Sequence, residues 1–269
     1  MSEKDPFVVE QEGHIAWLTL NRPDNRNAMG VDFFEGLRRH FERFDEDSNV
    51  RGVVIKAEGK SFTAGLNLVE FGPQLRGEAG ADVREELRKT ILKYQEGINA
   101  IERCRKPVIA AVHSHCMGGG VDMLCACDIR MATKDAIFSI RETRMGMIAD
   151  LGTLQRLPHI IGNSWFKELA LTGRDFTAQE ALQMGFITRI CDDRPGLYGE
   201  ARRIASEIVS CPPLAVQGAK EVILYSRDHG VYAGLHYVAQ KNAAALISED
   251  VMEAMSAFLE KRAPVFKGK

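Results

Sequence analysis

No apolar run in the 269-residue chain approaches the ~20 residues of a membrane-spanning helix, which argues against a helical membrane protein. An excess of one charge is also missing, because 35 Lys and Arg stand against 37 Asp and Glu. That balance argues against a surface built to hold nucleic acid or an anionic membrane. The six cysteines, at 104, 116, 125, 127, 191 and 211, show no paired framework and no Cys-x-x-Cys. They read as reduced, mostly buried thiols rather than as disulfides. His113, His115 and Cys116 are the one cluster of metal-binding residue types, and strand alternation would put both histidines on one face. A further ligand at useful spacing is missing, so no metal is expected. The start, Met1-Ser2-Glu3-Lys4-Asp5-Pro6, has no apolar core and is not arginine-rich. It predicts no targeting segment and a cytoplasmic protein.

What the chain does have is a glycine turn between two apolar elements. Pro107 to Val112 reads as a buried strand, Gly118-Gly119-Gly120 follows, and Val121, Met123, Leu124 and Ala126 continue with helical spacing. Strand, glycines and helix direct free backbone N–H groups out of a helix start, and glycine lets a bound oxygen approach closely. A second loop, Ser61-Phe62-Thr63-Ala64-Gly65-Leu66-Asn67, follows the apolar strand Val53-Val54-Ile55. Together the two loops can supply a pair of donors for a developing oxyanion.

Around these loops the order of elements is readable. Phe7 to Gln11 and His14 to Leu20 form a hairpin about Glu12-Gly13. Val31, Phe34, Leu37, Phe41 and Phe44 predict an amphipathic helix over Val31 to Asp45. Asn67 to Phe71 reads as a helical turn, Gly72 to Ala81 as a surface loop, and Val83 to Cys104 as a long helix. Alternation of strands and helices up to Ile129–Ala132 argues for parallel strands joined by right-handed crossovers. Beyond Leu154 the pattern is helical, interrupted by a short strand near Ile187 to Ile190. Thr177 and Glu180 are spaced as a capping box, and a helix over Gly196 to Ser210 opens the final series. These patterns give an α/β core over 1–195 and a C-terminal helical oligomerisation region over 196–269.

The motifs, taken in order, resemble the enoyl-CoA hydratase/isomerase (crotonase) family. They are Asn21-Arg22-Pro23, Asn27-Ala28-Met29, the Ala64-Gly65 loop, the triple glycine, Cys127-Asp128-Ile129-Arg130, Gly152-Thr153-Leu154-Gln155-Arg156-Leu157, Leu171-Thr172-Gly173 and Ser256 to Arg262. The resemblance implies a crotonase (ClpP-like) fold of stacked ββα superhelical turns and an acyl-CoA substrate, with no separate cofactor. It implies an oxyanion hole made by the N–H groups of Ala64 and Gly119, and assembly as homotrimers or dimers of trimers.

It also singles out three acids. Asp122 and Glu142 fall where hydratases carry their two catalytic glutamates, and Asp150 falls where hydratases usually have glycine. Asp, Glu and Asp in this order resemble the Δ3,5-Δ2,4-dienoyl-CoA isomerase branch, which implies a place in fatty-acid β-oxidation. Such an isomerase moves a proton without water, so it needs an acid/base group near each end of the shift. Glu142 and Asp150 are the expected pair, with Asp122 supporting. Arg26, Ala28, Ala64, Gly65, Leu66, Asn67, Leu68, Phe258 and Lys261 are expected to contact CoA, the last two in some relatives from a neighbouring subunit. Asn67 stands where the family commonly has Asp. The alternatives are a hydratase or another crotonase-type acyl-CoA enzyme using Asp122 and Glu142 alone, and a crotonase-fold binding protein, such as an RNA-binding or scaffolding member. The latter predicts a lysine comb, whereas the helix over Val83 to Cys104 mixes Arg84, Glu85, Glu86, Arg88 and Lys89.

Overall fold

Gly13, at φ +57°, turns the chain between β1 (Phe7–Glu12) and β2 (Ile15–Leu20), which pair antiparallel. The computed structural model describes residues 5–75 and 80–269. β3 (Gly52–Ala57), β4 (Val108–Val112), β5 (His115–Met117), β6 (Ile129–Thr133), β7 (Ile137–Ser139), β8 (Asp175–Thr177) and β9 (Ile190–Cys191) follow. The main sheet has the order β1-β2-β3-β4-β6-β9, parallel from β2 onward; a smaller sheet has the order β5-β7-β8.

Alternation along the central strands splits their side chains between two cores. Leu18, Val53, Ile55, Val108, Ala110 and Val112 face the larger one, which is also built from α1 (Val31–Glu46) and α3 (Ala81–Arg103). Trp17, Val54, Ile109, Ala111 and Met131 face the other. A parallel sheet covered on both faces explains why these strands read as unbroken apolar runs.

Between α1 and α3 lies α2 (Leu68–Leu75). It corrects the expected surface loop, because helix continues through Gly72; residues 76–79 of that loop lie outside the described residues. The glycine turn leads into α4 (Gly119–Cys125), every residue of which is buried. α5 (Thr153–Arg156), α6 (Pro158–Ile161), α7 (Asn163–Thr172) and α8 (Ala178–Gln183) follow, and α8 has the full capping box of Thr177 and Glu180.

α9 (Arg194–Val209) starts at an Asp193 side chain that accepts from the Gly196 N–H. Its Leu197, Ala201, Ile204 and Ala205 close the second face of the sheet, so this helix is part of the core rather than of a peripheral region. α10 (Pro213–His229), α11 (Val231–Ala245) and α12 (Glu249–Glu260) lie further out. They expose Ile223, Tyr232, Leu235, Met252, Phe258 and Leu259. The buried carboxylate of Asp250 accepts from the N–H groups of Lys267 and Gly268 and so pins the chain end.

Cys104, Cys116, Cys125 and Cys127 are buried, Cys191 is half-buried and Cys211 is exposed; none is disulfide-bonded. The two histidines do not share a face. Ser114 sits at φ +53°, which breaks the alternation, leaving His113 buried and His115 exposed.

Candidate functional site

A cavity of about 650 Å³ opens where the two glycine-bearing loops meet. One wall is the turn into α4. Gly118, at φ +51°, donates to the Ser139 carbonyl, and Gly119 begins the helix with its N–H directed outward. The neighbouring loop is held against it by Gly65, at φ +85°, where a Cβ would stand 2.7 Å from the Met117 carbonyl oxygen. Only glycine permits both the conformation and the approach.

The expected donor Ala64 is corrected by its own bonding. Its N–H donates to the Arg26 carbonyl at 2.9 Å and is therefore occupied. Met29 bridges the loop by donating to the Gly65 carbonyl and accepting from the Asn67 N–H, which leaves the intervening Leu66 N–H out of the ladder. Among the described residues no acceptor takes the N–H of Leu66 or of Gly119, and both residues line the cavity. The two backbone N–H groups left open at the cavity are those of Leu66 and Gly119. The signal that finds Leu66 is the parallel bridge to Met29, which fixes the direction of each N–H in the loop.

Glu142 opens a short 3₁₀ turn (Glu142–Met145) and reaches the same space, its carboxylate lying against Gly118. Its Oε2 is buried without a hydrogen-bond partner among the described residues. Burial, reinforced by the nearby Asp122 charge, pushes its carboxyl up to about 7. Asp150 lies exposed on the same cavity wall, and the protein packed around it still raises its carboxyl above the usual aspartate range. Leu87, Ile91, Tyr94, Met145 and Ile148 make the rest of the lining largely apolar.

Asp122 is brought close but not into the cavity. It is fully buried one turn into α4, and its Oδ1 accepts from the Thr153 N–H at 2.6 Å. Burial raises its carboxyl to about 6. The bond ties α4 to the turn that carries Asp150. Asn67 accepts from the Glu70 N–H through its side chain, so it caps α2, a task for which Asn and Asp serve equally. Leu68 lines the cavity; Ala28 sits half-buried beside the Asn27 turn. Arg26 is exposed at φ +56°, and its side chain makes no ion pair among the described residues. Phe258 and Lys261 are exposed on α12 and at its end, and neither lines the cavity within this chain.

Comparison with known proteins adds the chemistry this geometry serves. The family model described as enoyl-CoA hydratase/isomerase matches residues 10–269. The chain belongs to the enoyl-CoA hydratase/isomerase family. It is 43% identical to the mitochondrial Δ3,5-Δ2,4-dienoyl-CoA isomerase of Mus musculus, over 95% of this chain and 79% of that protein. The peroxisomal Δ3,5-Δ2,4-dienoyl-CoA isomerase of Arabidopsis thaliana is 43% identical, over 95% and 93%. An enoyl-CoA hydratase structure from Bacillus anthracis superposes with a TM-score of 0.91 at 31% identity, covering 98% of this chain and all of that one. This family member is therefore an enzyme of crotonase fold. The named locations of the isomerases, mitochondrial and peroxisomal, overturn the expectation of a cytoplasmic protein.

Proposed function

We propose that this enzyme converts 3,5-dienoyl-CoA to 2,4-dienoyl-CoA by moving a proton between two carboxyl groups. The observation that carries this reading is that Glu142 and Asp150, both with raised proton affinity, line one apolar cavity with the Leu66 and Gly119 N–H groups. The thioester oxygen takes the two N–H groups as charge develops on it. One carboxylate removes a proton from C2, both double bonds shift along the chain, and the other carboxyl returns a proton at C6. Atoms and electrons balance without water, cofactor or metal. With its carboxyl raised to about 7, Glu142 is partly protonated at neutral pH, so one carboxyl can serve as donor while the other is ionised.

Asp122 supports the pair by holding the Thr153 N–H, and with it the Asp150 turn. The hydratase alternative requires Asp122 to hold a water together with Glu142. Its burial behind the wall argues against that role. Arg26 is the cation suited to the CoA phosphates, and Phe258 and Lys261 would reach CoA bound to a neighbouring subunit. The exposed apolar side chains of α10 to α12 suit such an assembly, a trimer or a dimer of trimers, which sedimentation velocity tests.

The decisive experiment is an ultraviolet progress curve with 3,5-dienoyl-CoA and, in parallel, 2-enoyl-CoA. Formation of the conjugated 2,4-dienoyl product by the wild type, lost in Asp150→Asn, is expected. Hydration of 2-enoyl-CoA with no dienoyl conversion would overturn the isomerase reading.

A further inference from the structure

Asp150 and Leu151 also line a second cavity of about 330 Å³, whose lining does not include Glu142. This second space is polar. Asn99, Gln155, His159 and Asp228 face it, together with Glu102, which is paired to Arg156 and Arg227. Its size and polar lining suit several hydrogen-bonded waters. The turn at its rim is fixed from below. Gln95 Nε2 donates to the Asp150 carbonyl at 2.6 Å. Gly152, at φ +125°, leaves room for the Arg156 guanidinium, which a Cβ would strike.

An acyl chain in the larger cavity displaces the water on that side. Glu142 then has the unpartnered Oε2, Gly118 and apolar side chains around it. Asp150 still borders the polar cavity. Resting on the isomerase reading, we propose that this cavity is a solvent port through which Asp150 exchanges its proton with water while substrate is bound, and that Glu142 does not exchange. The charged groups around the port are Glu102, Arg156, His159, Arg227 and Asp228, and Arg141 and Glu142 face the acyl side. One acid/base group is thus open to the medium and its partner is closed.

The test is deuterium wash-in. The enzyme is incubated in D₂O with 3,5-dienoyl-CoA and, separately, with 2,4-dienoyl-CoA, and each reactant recovered at low conversion is analysed for deuterium at C2 and C6. Label is expected in only one recovered reactant, the one from which Asp150 removes the proton. Glu142→Gln should keep that wash-in while losing net isomerisation, and Asp150→Asn should lose both. Gln155→Phe fills the port and His159→Leu makes its lining less polar, and neither removes a side-chain hydrogen bond found among the described residues. Both should lose the label with isomerisation retained. Isomerisation with no wash-in, equal wash-in from both reactants, or wash-in that survives both port variants overturns the port alone. Absence of isomerisation by the wild type overturns the parent reading and the port with it.

Discussion

Every residue of α4, which brings Gly119 to one wall of the cavity, is buried, whereas Met145, Ile148 and Asp150 on another wall are exposed. In the proposed reaction the buried wall supplies a backbone donor and the exposed stretch supplies an acid. The division follows from what each group must do. An oxyanion donor works by already standing in place, which packing on every side secures. An acid must meet the substrate, which requires a place on the cavity surface. The turn from Asp150 to Thr153 joins the two, since Asp122 on the buried wall holds Thr153.

Removing the acids attacks one side of this contrast and should have the largest effect. Glu142→Gln and Asp150→Asn are each expected to lower kcat about 10²–10⁴-fold, with circular dichroism and melting showing an intact fold. Gly65→Ala attacks the other side. The Cβ meets the Met117 carbonyl in a left-handed conformation, so the Leu66 N–H is displaced from the Gly119 N–H. A loss of roughly 10²-fold in kcat is expected, together with a destabilisation of about 1–3 kcal/mol in urea unfolding.

The pH dependence of stability sharpens the contrast further. Glu142 binds its proton more tightly folded than unfolded, because burial raises it to about 7. Its contribution is therefore fully present below the unfolded value of about 4.3 and is lost as pH rises through about 7. Glu142→Gln should be more stable than the wild type above neutrality, on the order of 2 kcal/mol, and the two should converge in acid. A melting series from pH 4 to pH 8 with parallel curves would contradict this. The smallest effect is expected far from both walls. Phe258→Ala, at a residue 82% exposed, should change the stability of the isolated chain by no more than about 0.5 kcal/mol. A rise in KM in the assembled enzyme would place this ring against CoA.

Much of this was legible in the sequence because the relevant signals are periodic or local. The spacing of Val31, Phe34, Leu37, Phe41 and Phe44 marked α1, and Thr177 with Glu180 marked the start of α8. Strands β5, β7 and β8 were not legible, since three residues carry no period. Leu66 was missed for a different reason. Which N–H of a loop is free depends on the strand beside it, and side-chain chemistry does not reveal backbone direction. Glu142 and Asp150 came from family resemblance alone; twenty or thirty residues of separation from the glycine turn say nothing about a shared cavity. The helix over Arg194–Val209 looked like the first of a peripheral series, because amphipathic spacing shows that a face is buried and not against what.

The distribution of the cysteines gives the molecule a chemical handle. Burial pushes the thiols of Cys125 and Cys127 up to about 12 and that of Cys104 to about 11, so they stay protonated and shielded in the folded enzyme. Cys211, in the link between α9 and α10, is exposed. A maleimide dye applied under native conditions should therefore attach there first. That places a fluorophore between the outer helices without touching Glu142, Asp150, Leu66 or Gly119, at a point from which energy transfer between labelled chains tests self-association.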